Sequence, residues 1–276
     1  MERNKTKAQV WVVEQGRARS RLDQLATEEP LEIRLLAPQR TLAITMRTPG
    51  ADFELIAGFL YSEGIIRQRN DIQHMRYCVD PAIDGQQRQN IVNVALRSGL
   101  NPNLPALERH FYTTSACGVC GKASLDALKI RGYPEILPGP TLSVQILYDL
   151  PDKLRAAQGV FQETGGLHAA ALFDADGTLL ALKEDVGRHN ALDKLVGASL
   201  LNNELPWRDR VIMVSGRSSF EILQKSLMAG VSIICSISAP SSLAVALAQE
   251  FGLTLIGFLR GERLNVYAGP QRLQDI

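Results

Sequence analysis

RVIMVSGRSSFEILQKSLMAGVSIICSISAPSSLAVALAQEFGLTLIGFLRGERLNVYA, residues 210–268, carries the reading of the fold. RVIMVSG and VSIICSIS are short, nearly continuous apolar runs, the pattern of strands buried on both faces. SSFEILQKSLMAG is a helix with a serine cap at its start and Gly230 at its end. SSLAVALAQEFG is the next helix, and LTLIGFLRGERLNVYA supplies one or two closing strands. Upstream, LHAAALFDADGTLLALKEDV is a β-hairpin turning at Asp176-Gly177. GRHNALDKLVGASLL is a helix with Ala191, Leu192, Leu195, Val196 and Leu200 on one face. The order strand, strand, helix, strand, helix, strand, helix, strand predicts an α/β domain over 141–276, with helices flanking a mixed, largely parallel sheet.

The first hundred residues read differently. Leu31, Ile33 and Leu35, then Leu42, Ile44 and Met46, alternate as two strands, with Ala37-Pro38-Gln39-Arg40 as the turn. ADFELIAGFLYSEGII places Phe53, Ile56, Ala57 and Leu60 on one helical face and stops at Gly64. AQVWVVEQG and NIVNVALRS are two further strands. A small α+β domain over 1–115 is expected, and proline-dense, polar flanks make 116–140 a connecting loop.

The 276 residues are 45% hydrophobic and 21% charged, with a formal net charge of +1. That composition is ordinary for a globular chain and lacks the basic excess of a general nucleic-acid binder. The opening MERNKTKAQV has no apolar signal-peptide core, and the apolar stretch at 231–248 is broken by serines and Pro240. A cytoplasmic protein with no membrane span is expected. Its four cysteines then point to chemistry or packing, not to a disulfide framework.

Two of them stand in TTSACGVCGKASLDAL, residues 113–128. Cys117 and Cys120 are spaced CxxC, flanked by Gly118 and Gly121, with Lys122 in the first turn of a following helix. The CxxC spacing, the helix start and the lysine each favour a thiolate, and the glycines keep the backbone open to a partner or substrate. A zinc site needs about four ligands, and no second CxxC or HxxxH is present. A thioredoxin-like pair would follow a strand in an early βαβ unit, not a proline-rich linker. Cys78 and Cys235 are isolated, and Cys235 in an apolar strand reads as packing.

Three polar islands interrupt the second half: KEDVGRHNALDK, SGRSSFEILQK and FLRGERLNVY, each read as a strand-to-helix junction. Ligands of open α/β sheets collect at such places. Arg188, Arg217, Arg260 and Arg263 would give an anion site there, against the alternative of solvated capping loops. His168 and His189 read equally as structural histidines, and Glu184 and Asp185 as capping acids, Asp185 the better of the two.

TSACGVCG, HAAALF, EDVGRHNALDKLVG, VSGRSSFEILQKSLMAG, SAPSSLAVALA and LIGFLRGERLNVY, in this order, resemble the formate dehydrogenase accessory sulfurtransferase family (FdhD/NarQ), from about Glu29 to the C-terminus. The resemblance implies a cytidine deaminase-like fold for the C-terminal domain. The zinc-binding HxE and PCxxC are missing, RHNA and GRSSFEI standing in their places, so deaminase chemistry and a metal are not expected. It implies a sulfur carrier that takes persulfide sulfur from a cysteine desulfurase. The sulfur then passes to the molybdenum bis(molybdopterin guanine dinucleotide) cofactor (Mo-bis-MGD) of formate dehydrogenase. By position, Cys117 would bear the persulfide and Cys120 would assist. Phe258, Leu259, Arg260, Gly261, Glu262 and Arg263 would bind the cofactor or a GDP-like ligand, with Arg188 and Arg217 in support, in a homodimer. Two alternatives stay open. One is a non-catalytic guanine-nucleotide-binding chaperone with a redox-sensing CxxC. The other is a thiol-disulfide oxidoreductase.

Overall fold

The computed structural model describes residues 3–100, 136 and 138–274. Cys117, Cys120 and nearly all of the connection read at 116–140 lie outside the described residues.

The chain begins with a two-stranded hairpin, β1 (Lys5–Glu14) and β2 (Arg17–Ala26), paired in register along its length. The sequence pattern marks only AQVWVVEQG as a strand; the polar RARSRLDQLA pairs with it along its length while staying exposed over most of it. Next come β3 (Glu29–Leu36), β4 (Gln39–Arg47), helix α1 (Asp52–Ser62), β5 (Ile72–Tyr77), the single-turn α2 (Gly85–Arg88) and β6 (Ile91–Leu96). They form a four-stranded sheet in the order β4-β3-β6-β5. Leu31, Ile33 and Leu35 are all buried, as their alternation predicts. The second triplet divides: Leu42 is buried, whereas Ile44 and Met46 are exposed. A register irregularity between Ile33 and Arg34 opposite β4 is the cause. A one-residue shift exchanges the two faces, so the inward positions beyond it are Ala43, Thr45 and Arg47.

The second half has β7 (Leu142–Ser143), α3 (Val144–Ala157), α4 (Gly159–Thr164), β8 (His168–Asp174), β9 (Leu179–Asp185) and α5 (Arg188–Leu201). It continues with β10 (Arg210–Val214), α6 (Phe220–Met228), β11 (Ile233–Ser236), α7 (Ser242–Glu250), β12 (Thr254–Arg260), β13 (Arg263–Ala268) and β14 (Leu273–Gln274). Six strands make one mixed sheet, β13-β12-β11-β10-β8-β9. Its centre, β10-β11-β12, is parallel and the outer pairings are antiparallel. The alternating helices and strands read from 168 onward are all present. Helix α3 escapes the sequence reading because Pro151 interrupts it, yet Leu147, Leu150 and Leu154 are fully buried at helical spacing.

Both faces of the six-stranded sheet are covered, which explains the unbroken apolar runs. Ala169, Ala171, Phe173, Val211, Met213, Ile233 and Cys235 pack under α3. Ala170, Leu172, Ile212, Val214, Ile234 and Leu255 point the other way, towards the helices and the N-terminal sheet. That second cluster is continuous from Leu31 on β3 to Ala268 on β13, so the two sheets share one core.

The join is made by α1 lying on α5. A Cβ added at Gly58 would come within 1.8 Å of the Asp193 carbonyl oxygen, and one at Gly197 within 1.8 Å of that of Glu54. Only glycine permits the backbones so close. Buried polar pairs flank this contact. Lys225 Nζ donates to both Asp193 oxygens at 2.9 Å, and Lys194 Nζ to Thr48 O at 2.8 Å. Arg47 bonds Asp52 through two nitrogens, at 3.1 and 3.0 Å. Burial disfavours the Lys225 ammonium, but the Asp193 and Glu63 carboxylates outweigh it and hold it above the ordinary lysine range.

Candidate functional site

The parallel strands β10, β11 and β12 end on one edge of the sheet, and antiparallel β8 begins there. Val214 pairs with Ala170, and His168 with Asp185. The polar residues that follow those ends therefore converge. A cavity of about 630 Å³ opens at this edge, lined by His168, Ser215, Ile237, Leu259, Arg260 and Gly261 from the sheet side. Helices α3 and α4 close it with Leu154, Arg155, Gln158 and Phe161, together with Gly165 and Gly166. Its size is that of a small-molecule site, and its position is where open α/β sheets bind ligands.

The β12 end is shaped by a bulge. Register shifts between Gly257 and Arg260, and Phe258 adopts φ 52, in the left-handed region. A bulky residue there is strained, and the bulge re-aims the two side chains after it. Leu259 becomes fully buried while Arg260 turns to the cavity mouth. Arg260 Nε donates to Ile237 O at 3.0 Å, which orients the guanidinium. Across the turn, Arg260 is paired directly with Arg263. Like charges facing each other across a strand pair repel, and an anion between them relieves the repulsion.

The loop before α5 supplies the second polar group. The Asp185 carboxylate is fully buried and accepts from Thr48 N, Gly187 N, Asn190 Nδ2 and Lys194 Nζ at 3.1, 2.9, 3.1 and 2.7 Å. It fixes the loop that presents Arg188 and His189. Arg188 Nε is buried without a hydrogen-bond partner among the described residues. His189 Nε2 lies 3.0 Å from Glu221 Oε2 and 3.2 Å from Ser219 Oγ. Ser219 starts α6 without capping it, so the serine cap expected there is instead a histidine contact. Burial, with the charges of Arg188 and His189, pushes His168 below the ordinary histidine range. It is the neutral imidazole at neutral pH.

Glu184 fixes the helical wall. Its carboxylate accepts the Val160 and Phe161 N–H groups at 3.0 and 2.8 Å, at the start of α4. It is thus a capping acid of a helix other than the one that follows it. Arg155 Cζ stands 4.0 Å above the Phe161 ring centroid, a cation–π pair on the cavity wall.

Of the residues read from sequence, Leu259, Arg260 and Gly261 line the cavity; Arg188 does not, although its charge acts on His168, which does. Phe258, Glu262 and Arg263 are not on its wall, and Arg217 is exposed away from it. The FLRGERLNVY island is a strand-to-strand turn, not a strand-to-helix junction, because Gly261 at φ 51 reverses the chain at once. Arg155, Gln158 and Phe161 are not among the residues read from sequence; the 3–4 spacing of Leu147, Leu150 and Leu154 is the signal for α3, which carries Arg155 and ends at Gln158. Cys235 is fully buried and its thiol is pushed up to about 12 by burial, as inert packing requires. Cys78 is buried too.

A model of the FdhD/NarQ family matches residues 26–274. The chain belongs to that family. It is 54% identical over 263 residues to the sulfur carrier protein FdhD of Streptomyces coelicolor, covering 95% of this chain and 93% of the relative. It is 48% identical to that of Mycobacterium tuberculosis (92% and 93% covered) and 44% identical to that of Saccharolobus solfataricus (91% of each). A crystal structure described as that of a formate dehydrogenase accessory protein from Desulfotalea psychrophila superposes with a TM-score of 0.74. It covers 98% of this chain and 99% of the other at 24% identity, so the two share a fold. Among the described residues no helix is long and apolar enough to cross a membrane.

Proposed function

We propose that the protein is a cytoplasmic sulfur carrier for formate dehydrogenase, acting as a homodimer, and that its cavity holds a guanine-nucleotide end of Mo-bis-MGD while sulfur is delivered. The single observation that carries the ligand half is the Arg260 fork at the mouth of a cavity placed at the carboxyl ends of parallel strands. The family carries the sulfur half. Relatives over most of this chain are sulfur carrier proteins, and Cys117 and Cys120 supply the thiols.

The chemistry closes without a metal of the protein's own. The Cys117 thiolate attacks the terminal sulfur of a desulfurase persulfide, giving a Cys117 persulfide and the desulfurase thiolate. The Cys120 thiolate then attacks Cys117 Sγ. The sulfur–sulfur bond of the persulfide breaks, sulfide leaves for the cofactor as HS⁻, and a Cys117–Cys120 disulfide forms. An external dithiol reductant restores the two thiols. The cavity would hold the anionic cofactor through its diphosphates in the meantime, Arg155 and Arg260 lining it and the Arg188 charge acting on His168.

Intact-protein mass after incubation with a cysteine desulfurase and cysteine tests the carrier role. Wild type should gain one sulfur that a reductant removes, and Cys117→Ala should gain none. An active desulfurase that leaves wild type unchanged would favour the chaperone with a redox-sensing CxxC.

A further inference from the structure

The hairpin of β1 and β2 stands apart from the core. Among the described residues, none of its own joins either buried cluster and no third strand continues it. A two-stranded ribbon by itself is only marginally stable in water. Its turn is built for register: Gln15 and Gly16 have φ 50 and 76, the left-handed pair of a tight two-residue hairpin. At its root, Lys5 Nζ pairs with Glu163 on α4 at 2.9 Å, and a Cβ added at Gly166 would stand 3.4 Å from that of Ala26. Gly166 lines the cavity, so the arm springs from the cavity rim. Two strands of 10 residues, at about 3.3 Å each, make it roughly 30 Å long.

The pairing gives the arm two different faces. On one, Trp11 lies opposite Ser20, Val13 opposite Ala18 and Leu22 opposite Gln9. Ser20 and Ala18 are too small to cover what they face, and Trp11, Val13 and Leu22 are 72, 66 and 59% exposed. On the other, Val10 lies opposite Arg21 and Val12 opposite Arg19, and the long arginine stems leave both valines only half-exposed. Arg17, Arg19 and Arg21 form an exposed row there. The pairs Arg19–Glu14 and Arg21–Asp23, at 3.2 Å, lie in solvent and are weak. Residues 5–26 hold five basic residues against Glu14 and Asp23, a net +3 where the whole chain has +1. A membrane or a nucleic-acid strand meets one face of a ribbon and needs apolar and cationic groups together on it. Groups divided between two faces are met at once only by a cleft. The apolar face offers on the order of 400 Å², half of the about 800 Å² per partner that a stable dimer buries. It suits a partner that binds and leaves.

Resting on the formate dehydrogenase reading above, we propose that this arm docks the client enzyme. The hairpin inserts into a cleft of molybdenum-free formate dehydrogenase. One wall of the cleft is apolar and takes Trp11, Val13 and Leu22; the other is acidic and takes Arg17, Arg19 and Arg21. Because the arm is rooted on α4, docking sets the cavity mouth beside the client.

Biolayer interferometry of the full-length protein on immobilised molybdenum-free formate dehydrogenase tests this, with sulfur uptake from a cysteine desulfurase and the melting temperature as controls. Trp11→Ser should weaken binding at least about ten-fold, and Trp11→Phe no more than about three-fold. Arg17→Glu, Arg19→Glu and Arg21→Glu together should slow association about ten-fold at low salt and less at high salt. All variants should keep the sulfur uptake and melting temperature of wild type, since the arm is outside the core. Equal binding by wild type and Trp11→Ser would overturn the docking arm and leave the client reading standing. A dimer that Trp11→Ser converts to monomer in sedimentation would overturn it too, by making the occupant a second copy. So would binding to phosphatidylglycerol vesicles that Trp11→Ser abolishes, by making it a membrane. Failure of wild type to bind formate dehydrogenase, with sulfur uptake intact, would sink the client reading and this inference with it.

Discussion

The seam between α1 and α5 and the cavity at the strand ends are both rich in charge, and they use it in opposite ways. In the seam the buried cations are answered: Arg47 by Asp52, Lys194 by Asp185, Lys225 by Asp193. In the cavity Arg155 rests on an aromatic ring and Arg260 spends one nitrogen on a carbonyl. Gln158 Nε2, on the cavity wall, has no hydrogen-bond partner among the described residues. Burying a charge or amide without a partner is costly, so the seam has the pattern of a structure that is complete and the cavity that of one awaiting a ligand. The segment 184–194, from the end of β9 into α5, belongs to both, since Asp185 and Lys194 pair in the seam while Glu184 pins the start of α4 on the cavity wall.

Substitutions should therefore separate into two kinds. The largest effect is expected for Lys194→Ala, which strands the buried Asp185 carboxylate. Denaturant unfolding should show a loss of about 3–5 kcal/mol. Gly58→Ala, which drives a methyl into the Asp193 carbonyl, should cost about 3 kcal/mol in the same measurement by overpacking. An unchanged midpoint for either would mean that the helix contact is looser than its geometry. Glu184→Ala lies between the two regions. Removing the acceptor of two backbone N–H groups should lower stability by about 1–2 kcal/mol and weaken GDP binding several-fold, because α4 is no longer pinned. The smallest effect is a pH dependence from His168. Its folded pKa lies below 6.5, so the unfolded chain takes up the proton first. Stability from the neutral ring is full above about pH 6.5 and is lost as pH falls through the folded value. His168→Gln should flatten the decline seen in unfolding curves between about pH 7.5 and 5.5.

The same contrast explains how much of the molecule is legible in the sequence. The buried strands and helices from 210 to 268 can be read because burial on both sheet faces leaves unbroken apolar runs, although of the two serine starts only Ser241 caps its helix. Arg260 can be read because it follows such a run. Gln158 and Phe161 cannot, because their role depends on where α3 ends after Pro151 and on Glu184, more than twenty residues away, binding the start of α4. The outward turn of Ile44 and Met46 is equally hidden, since a bulge in the pairing of two strands leaves no mark on the alternation of either one.

The most direct test of the division between seam and cavity is a calorimetric GDP titration of wild type and Arg260→Ala, with thermal melts of both. The cavity reading predicts binding by wild type, at least about ten-fold weaker binding by Arg260→Ala, and melting curves that coincide. Equal affinity in the two proteins, or a fall in melting temperature that accounts for the lost binding, would contradict it.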